Sequence, residues 1–187
     1  MSEKLIIFSA PSGSGKTTII KHLLNKDFNL EFSISACNRN PRGTEEHGKD
    51  YYFLGTDDFQ QKIKNNEFIE WEEVYTQRYY GTLKNEVTRI WQKGNTVLFD
   101  VDVVGGVNIK KQYGDKALSI FVMPPSVEEL RKRLTGRGTD NSDEIEKRLA
   151  KAEEEMKYAS KFDYIILNDN LDNAKKEAED ILSEFLN

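Results

Sequence analysis

A run of nine residues near the N-terminus has the composition of a phosphate-binding loop. The run reads Ala10, Pro11, Ser12, Gly13, Ser14, Gly15, Lys16, Thr17 and Thr18. It matches the P-loop pattern except that alanine stands in place of the first glycine. In such a loop, backbone N–H groups and a helix N-terminus converge on phosphate oxygens. Lys16 can reach the β- and γ-phosphates of a nucleotide, and the Thr17 hydroxyl suits Mg²⁺.

The loop by itself does not identify a reaction, because P-loops serve ATPases, GTPases and small-molecule kinases alike. The alternative is a structural strand-to-helix turn that contains glycine and lysine by coincidence. The loop does predict its own setting, which is a strand before it and a helix after it.

Apolar runs predict the strands that hold this loop. Leu5–Phe8 directly precedes it and is continuously apolar, which is typical of a strand buried on both faces of a parallel sheet. The further runs expected to be strands are Phe32–Ser35, Val97–Val101, Ala117–Val122 and Tyr164–Leu167. Helix signals alternate with them, which predicts an α/β fold: a P-loop core with a parallel β-sheet flanked by helices.

Three helices near the C-terminal end have clear sequence signals. Ser126 stands three residues before Glu129, the spacing of a capping box. Ser142 opens a second helix with acidic residues in its first turn, and Leu171–Leu186 has an apolar stripe at helical spacing.

Residues 33–91 break this alternation of strands and helices. Aromatic, glycine and polar residues crowd together at Tyr51–Phe53, Phe68–Trp71 and Tyr79–Gly81, which favours short strands and turns. We therefore expect one domain over 1–187, with a core at 1–32, 92–125 and 160–187. A mixed lobe is inserted at 33–91, and a small lid region spans 126–159, with a glycine-containing loop at Thr135–Asn141.

Composition excludes several classes of protein. The 187 residues carry 27 Lys plus Arg against 32 Asp plus Glu, a net charge of −5, which argues against nucleic acid as a partner. Cys37 is the only cysteine, so no intrachain disulfide can form, which fits a reducing compartment. No apolar run is long enough to span a membrane. We expect a cytoplasmic protein with no membrane partner, either a monomer or a small homo-oligomer.

Short motifs along nearly the whole chain resemble the guanylate kinase family, in the family's order. They are Ser35–Arg42, Gly48–Tyr51, Glu67–Trp71, Tyr79–Thr82, Asp100–Asp102, Arg133–Thr139, Lys147–Leu149 and Asn168–Asp169. The resemblance implies an ATP:GMP phosphotransferase that uses Mg²⁺ and gives ADP and GDP, and so serves the synthesis and recycling of guanine nucleotides. It makes the inserted lobe the GMP-binding lobe.

The resemblance also assigns residues to the GMP phosphate. Arg39 and Arg42 flank a proline turn and can present two guanidinium forks to one dianionic phosphate. Tyr51 and Tyr80 complete this group in the family. Without the resemblance, two solvated loop arginines are an equally good interpretation.

Four further residues are assigned to the guanine base. Guanine offers N1–H and N2–H₂ as donors beside the O6 acceptor, so a carboxylate paired with a hydroxyl complements its edge. By resemblance, Glu70 and Asp102 accept hydrogen bonds from the base, while Ser35 and Thr82 contact O6 or nearby groups. A lone glutamate is otherwise best read as an exposed acid on a strand.

The expected catalytic residues are cations that can stabilise charge on the transferring phosphoryl group. They are Lys16, Arg39, Arg133, Arg137 and Arg148. Arg131 and Lys132 are instead interpreted as a solvated helix face.

Two positions follow the ends of core strands. Asp100 ends an apolar run, where a carboxylate can hold Mg²⁺ through water or pair with Lys16. Asn168, with Arg137, is assigned to ATP by resemblance, and Asp169 beside it lies near adenine in the family. An Asn/Asp turn before the last helix is the structural alternative.

Two other functions compete with this interpretation. One is a catalytically inactive guanylate-kinase-like interaction module, which the presence of Lys16, Thr17, Arg39 and Arg42 disfavours. The other is a P-loop kinase for another small phosphate or alcohol, which the guanine-facing acids disfavour. Three departures from the family pattern are Thr82 in place of serine, Val104 before Gly105 in place of glutamine, and an extra residue near Thr76–Arg78.

Overall fold

A computed structural model of the chain describes residues 3–136 and 142–187. Its strands are β1 (Leu5–Ser9), β2 (Leu30–Phe32), β3 (Ala36–Cys37), β4 (Tyr52–Phe53), β5 (Phe68–Tyr75), β6 (Arg78–Leu83), β7 (Thr96–Asp100), β8 (Ala117–Met123) and β9 (Tyr164–Leu167). Its helices are α1 (Lys16–Leu24), α2 (Thr56–Lys64), α3 (Lys84–Gln92), α4 (Val103–Tyr113), α5 (Val127–Gly136), α6 (Ser142–Met156) and α7 (Leu171–Leu186). No helix within the described ranges has the length and hydropathy to cross a bilayer.

The core is the predicted α/β fold. Five parallel strands lie in the order β2-β7-β1-β8-β9, with β1 in the centre. Alternate residues of β1 face opposite sides of the sheet. Ile6 and Phe8 pack with α1 and α7, while Leu5 and Ile7 pack with α3 and α4. Burial on both faces explains why the three inner strands β1, β7 and β8 read as continuous apolar runs.

The inserted lobe has its own mixed sheet, in the order β4-β3-β6-β5. The pairs β3–β6 and β5–β6 are antiparallel, and β3–β4 is parallel. Phe59 on α2 packs between Phe68 and Tyr79 in a small core. The range 33–91 also contains α3, whose Val87 and Ile90 pack against the core sheet. The separate lobe sheet therefore ends with β6, and α3 is part of the core packing.

One predicted strand begins two residues earlier and ends three residues earlier than expected. The strand expected at Phe32–Ser35 is β2 at Leu30–Phe32. Ser33 still donates its N–H to Leu98 O at 2.9 Å, but the Ile34 N–H turns to the Glu86 carboxylate at 3.1 Å. A side chain from α3 thus ends the strand, and this contact is invisible in the local sequence.

The helix signals are confirmed where the structure describes them. The Ser126 hydroxyl accepts the Glu129 N–H at 3.0 Å, as the capping box requires. Helix α6 begins at Ser142, and α7 spans the predicted Leu171–Leu186. Helix α7 is capped by Asn170, which accepts from the N–H groups of Asp172 and Asn173.

A buried acid joins the lobe to the core. Glu86 on α3 is 2% exposed and accepts hydrogen bonds from Ile34 N–H, the Tyr52 hydroxyl and the Arg89 guanidinium. Arg89 continues to Glu31 on β2. This one carboxylate therefore links residues of the lobe with residues of the core.

Replacing Glu86 by alanine should destabilise the protein by about 2–4 kcal/mol, because it leaves buried donors and an arginine without their acceptor. Urea unfolding measures this difference. The matched control is Glu128→Ala, which removes an exposed acid from an i,i+4 pair and should change stability by less than about 0.5 kcal/mol. Equal effects of the two substitutions would contradict this role for Glu86.

Candidate active site

One continuous cleft runs along the carboxyl ends of the central strands. Its first half is lined by the whole run from Ala10 to Thr18 and by Arg148 and Glu155 on α6. Its second half lies under the lobe and is lined by Ser35, Tyr51, Glu70, Glu72, Val74, Tyr80 and Gly81. Both halves share Asp100, Val101, Asp102 and Lys151. A ligand in one half therefore meets a ligand in the other at the end of β7.

The P-loop conformation depends on two glycines with positive φ. Gly13 has φ 93° and Gly15 has φ 96°, a region that side-chain-bearing residues rarely adopt. A Cβ on Gly15 would also lie 2.2 Å from the Asn168 amide nitrogen. Ala10 is not among the positive-φ residues, so alanine is tolerated where the pattern has its first glycine.

Lys16 begins α1 directly after this turn. Its ammonium group forms an ion pair with Asp100 at the end of β7 and lies 3.4 Å from Val101 O. Thr17 is exposed on the first turn of the same helix. The cation and the hydroxyl thus stand where the loop's backbone N–H groups converge, beside a carboxylate from the neighbouring strand.

The lid-side residues meet the P-loop in different ways. Arg148 on α6 donates to the Ser12 hydroxyl at 3.2 Å, which places its guanidinium directly over the loop. Arg133 on α5 donates instead to the backbone carbonyl of Asn168 at 3.1 Å and to Glu129 at 3.3 Å. Arg137 lies outside the described residues.

Asn168 is buried and supports the loop from below. Its side-chain amide donates to Ser14 O at 2.6 Å. The neighbouring Asp169 is exposed and accepts the Asn170 N–H at 2.6 Å. Asn168 thus holds the P-loop and Asp169 takes part in the turn before α7, whereas the expected contact of Asn168 with ATP stays a prediction.

Two of the predicted phosphate-contacting residues of the lobe, Tyr51 and Tyr80, lie against a third, Arg39, and the fourth, Arg42, is exposed. The Nε of Arg39 donates to the Tyr80 hydroxyl at 3.2 Å, and the Arg39 guanidinium lies 4.9 Å above the Tyr51 ring. Its two terminal nitrogens donate to both oxygens of Glu45 at 2.6 and 2.8 Å. Glu45 also accepts the Arg42 N–H at 2.7 Å. Sequence reasoning missed Glu45, whose only local signal is its position in the turn after Arg42.

Glu45 occupies the guanidinium fork that a phosphate would use. Hydrogen bonds from Arg39 and from the Arg42 backbone lower the pKa of the Glu45 carboxyl to about 2. The carboxylate is therefore ionised at neutral pH and fixes the orientation of Arg39. An incoming phosphate either shares this guanidinium with Glu45 or displaces the carboxylate.

The predicted base-contacting residues meet at the inner end of the lobe half. Thr82 on β6 donates its hydroxyl to Glu70 Oε1 on β5 at 2.8 Å, as the cross-strand pairing of these residues allows. Burial raises the pKa of the Glu70 carboxyl to about 7, and the negative charge of Asp102 acts in the same direction. Ser35 lines the same half of the cleft.

Asp102 caps the N-terminus of α4. Its Oδ1 accepts the Gly105 N–H at 2.7 Å. Burial acts to raise the pKa of Asp102, but contacts with Glu72 and with the N–H groups of Gly105 and Val104 outweigh it and hold that pKa below its usual value. A helix N-terminus stabilises this negative charge.

Two cleft residues besides Glu45 were not found from the sequence. Glu72 lies two residues after Glu70, so both face the same side of β5. Lys151 follows Arg148 by three residues on α6 and lines both halves of the cleft. The only sequence signal for each of them is its spacing from a predicted site residue. Acids and lysines at such spacing are common on protein surfaces, so this signal does not identify a site.

A sequence model of the guanylate kinase family matches residues 2–185. Among curated proteins, a guanylate kinase of Bacteroides thetaiotaomicron is 62% identical over all 187 residues and 92% of its own length. One from Porphyromonas gingivalis is 53% identical, with 98% of each chain covered. Among solved structures, a guanylate kinase from Anaplasma phagocytophilum is 30% identical with a TM-score of 0.75, and the match covers 97% of this chain and 85% of that one.

Proposed function

This chain belongs to the guanylate kinase family, and from that premise we propose which substrate each half of its cleft binds. The protein is a phosphotransferase that uses ATP to convert GMP to GDP. The observation that carries the proposal is the continuity of the cleft. The P-loop half and the lobe half share the segment from Asp100 to Asp102 and Lys151, so two nucleotides can meet with their phosphates end to end.

The P-loop half binds ATP. Backbone N–H groups of residues 10–18 surround the β- and γ-phosphates, and Lys16 leaves Asp100 to contact them. Asn168 holds the loop through Ser14 O, and Arg133 in turn holds the segment of Asn168. These two residues position the loop, and Arg148 and Lys16 supply the charge next to the transferring group.

The Thr17 hydroxyl and the Asp100 carboxylate fit Mg²⁺, which prefers oxygen ligands and retains several waters beside substrate phosphates. Thr17 would hold it directly and Asp100 through water. Bound there with ATP, Mg²⁺ would neutralise charge on the terminal phosphates.

The lobe half binds GMP. Arg39, Arg42, Tyr51 and Tyr80 hold the phosphate, with Arg39 preorientated by Glu45. The acids Glu70 and Asp102 accept from the guanine N–H groups, while Thr82 and Ser35 complete the polar edge.

Transfer is a direct in-line displacement in this proposal. An oxygen of the GMP phosphate attacks the γ-phosphorus of ATP, the bond to the β,γ-bridging oxygen breaks, and ADP leaves with that electron pair. The attacking oxygen is already anionic, so no general base is required. Positioning and charge neutralisation by Lys16, Arg39 and Arg148 therefore supply most of the rate enhancement.

Replacing Arg148 by alanine should lower kcat by about 10²-fold or more, because a guanidinium next to the P-loop stabilises charge that develops during transfer. The KM for GMP should change less than about threefold, since Arg148 does not line the lobe half. Steady-state kinetics with varied GMP separates the two constants. Arg131→Ala is the matched control, because that arginine faces solvent and pairs with Glu146. A rise in KM without loss of kcat would contradict this role.

The first test of the function is ADP release in a coupled assay with Mg-ATP. The acceptors GMP, AMP and UMP are offered in parallel with a reaction that lacks any acceptor. Rapid release with GMP alone is the expected result. Binding of GMP without turnover would instead favour an inactive interaction module.

We further propose that the protein works in the cytoplasm with free ATP and GMP as its partners, as a monomer or a small homo-oligomer. Its buried single thiol, Cys37, and its net charge of −5 support this setting. Light scattering of the purified protein measures the oligomeric state.

A further inference from the structure

The base end of the cleft holds a third carboxyl that the proposed GMP site does not use. Glu70 and Glu72 are two residues apart on β5, and the alternation of a strand places both side chains on the face that lines the cleft. Glu73, on the opposite face of the same strand, is exposed. Glu72 is half-buried beside Tyr80 and Asp102.

Glu72 contacts Asp102 directly. The two carboxyl groups lie within hydrogen-bond reach of each other, and this contact, with burial, raises the pKa of Glu72 to about 7. Asp102 also accepts the N–H groups of Gly105 and Val104, so part of its acceptor capacity is already used within α4. The surrounding charged groups are Glu70 on β5 and, from α6, Lys151, which offsets part of the negative charge, and Glu155.

Counting donors shows what this pair can bind. The Watson–Crick edge of guanine presents three N–H bonds, one at N1 and two on the 2-amino group. A single carboxylate in the plane of the base can accept the N1–H and one hydrogen of the amino group. Glu70 suits that role, with the Thr82 hydroxyl fixing one of its oxygens. The proposed site offers Asp102 to the second amino hydrogen, but Asp102 already accepts N–H groups of α4, so the Glu72 carboxyl beside it can share this donor.

We propose that Glu72, paired with Asp102, contacts the 2-amino group of the substrate guanine and is a specificity-determining residue for this position of the base. This inference rests on the proposed GMP site and deepens it. The site then distinguishes guanine from hypoxanthine, which lacks the 2-amino group, by two acidic contacts with different geometry.

The test compares Glu72→Ala and Glu72→Gln with the wild-type protein, using GMP and IMP as ligands. Calorimetric binding without ATP and kcat/KM with ATP give two independent readouts. Glu72→Ala should lower the preference for GMP over IMP by about 10- to 100-fold, mainly because the variant binds GMP more weakly. Glu72→Gln should retain most of the preference, because its amide can donate to Asp102 and accept from the amino group.

Glu73→Gln is the matched control, since it is adjacent on β5, faces away from the cleft and keeps an oxygen to accept the Gln77 N–H. If Glu72→Ala changes GMP and IMP binding by the same factor, or changes neither, the inference is overturned. Glu70→Gln distinguishes this failure from failure of the base site. If Glu70→Gln loses the preference for GMP while Glu72→Ala keeps it, the role of Glu72 is rejected and the base site stands. If both variants keep the preference, the proposed base site itself is rejected.

Discussion

Replacing Lys16 by alanine is expected to lower kcat/KM with Mg-ATP and GMP by about 10³-fold or more. Lys16 stands at the first position of α1 and lines the P-loop half of the cleft, so in the proposed complex its charge lies next to the β- and γ-phosphates. The alanine side chain leaves the loop's backbone in place but removes this charge. A coupled assay for ADP release measures the loss.

Folding is a separate readout for this variant. The Lys16 side chain is 15% exposed and its partner Asp100 is 26% exposed, so water can solvate the carboxylate that the substitution leaves behind. The melting temperature should therefore change little. Lys21→Ala is the matched control, because it removes an exposed lysine from the same helix. Near wild-type turnover of a folded Lys16→Ala protein would contradict the role of this lysine.

The P-loop and the core were predictable because their signals are local. Phosphate binding by a P-loop uses consecutive residues, so the sequence from Ala10 to Thr18 contains the whole feature. The strands β1, β7 and β8 are buried on both faces and read as apolar runs with few alternatives, and the edge strand β9 is also an apolar run although most of its side chains are exposed. The edge strand β2 has only intermediate and exposed residues, which is why its predicted start was wrong by two residues and its predicted end by three.

The lobe was predictable in outline only. Strands β3 and β4 contain two residues each, which is too short for any periodicity to appear. Their pairing depends on tertiary contacts, such as the buried Glu86 that receives the Tyr52 hydroxyl from β4. The sequence does not show that α3 packs against the core sheet, because an amphipathic segment does not indicate which of two adjacent sheets its apolar face contacts.

The same distinction between local signals and tertiary contacts applies to the residues of the site. Asp100, Glu70 and Arg39 could be selected through the family resemblance, but Glu45, Glu72 and Lys151 become visible only when the strands and helices are assembled. Lys151 on α6 reaches a cleft whose acids come from β5 and from the start of α4. No local pattern connects those three segments, so charge balance inside the cleft is a property of the fold.

The Glu70→Gln variant is expected to lose about 10³-fold or more in kcat/KM for GMP and to accept AMP relatively better. Glu70 is held by the Thr82 hydroxyl at the inner end of the cleft, where its carboxylate can accept two N–H groups of guanine. Glutamine has nearly the same shape but places an N–H₂ group where one acceptor stood, so it opposes a guanine donor. Parallel assays with GMP and AMP measure the ratio, and an unchanged ratio would remove Glu70 from the guanine site.

The same substitution should reveal a pH dependence, because burial raises the pKa of Glu70 to about 7. Only the ionised acid accepts both guanine N–H groups, so kcat/KM for GMP should rise with pH up to about 7 and level off above it. The GMP phosphate itself titrates near pH 6, at about the value of other phosphate monoesters. Glu70→Gln keeps that substrate titration and loses the contribution of Glu70. A wild-type profile identical in shape to that of Glu70→Gln would contradict the assignment.

Protein stability should change in the opposite direction to activity. The folded-state pKa of Glu70 lies above the ordinary glutamate value of 4.5, so folding favours the protonated acid, and its contribution to stability is lost as pH rises from about 4.5 through 7. Glu70→Gln removes this penalty and should melt at a higher temperature than the wild-type protein at pH 8, with a smaller difference at pH 5. If the difference in melting temperature between the two proteins grew toward acid pH, the prediction would be contradicted. Such a result would mean that the surroundings of Glu70 stabilise its ionised form. The proposed guanine recognition instead uses a buried charge that lowers stability until the base binds.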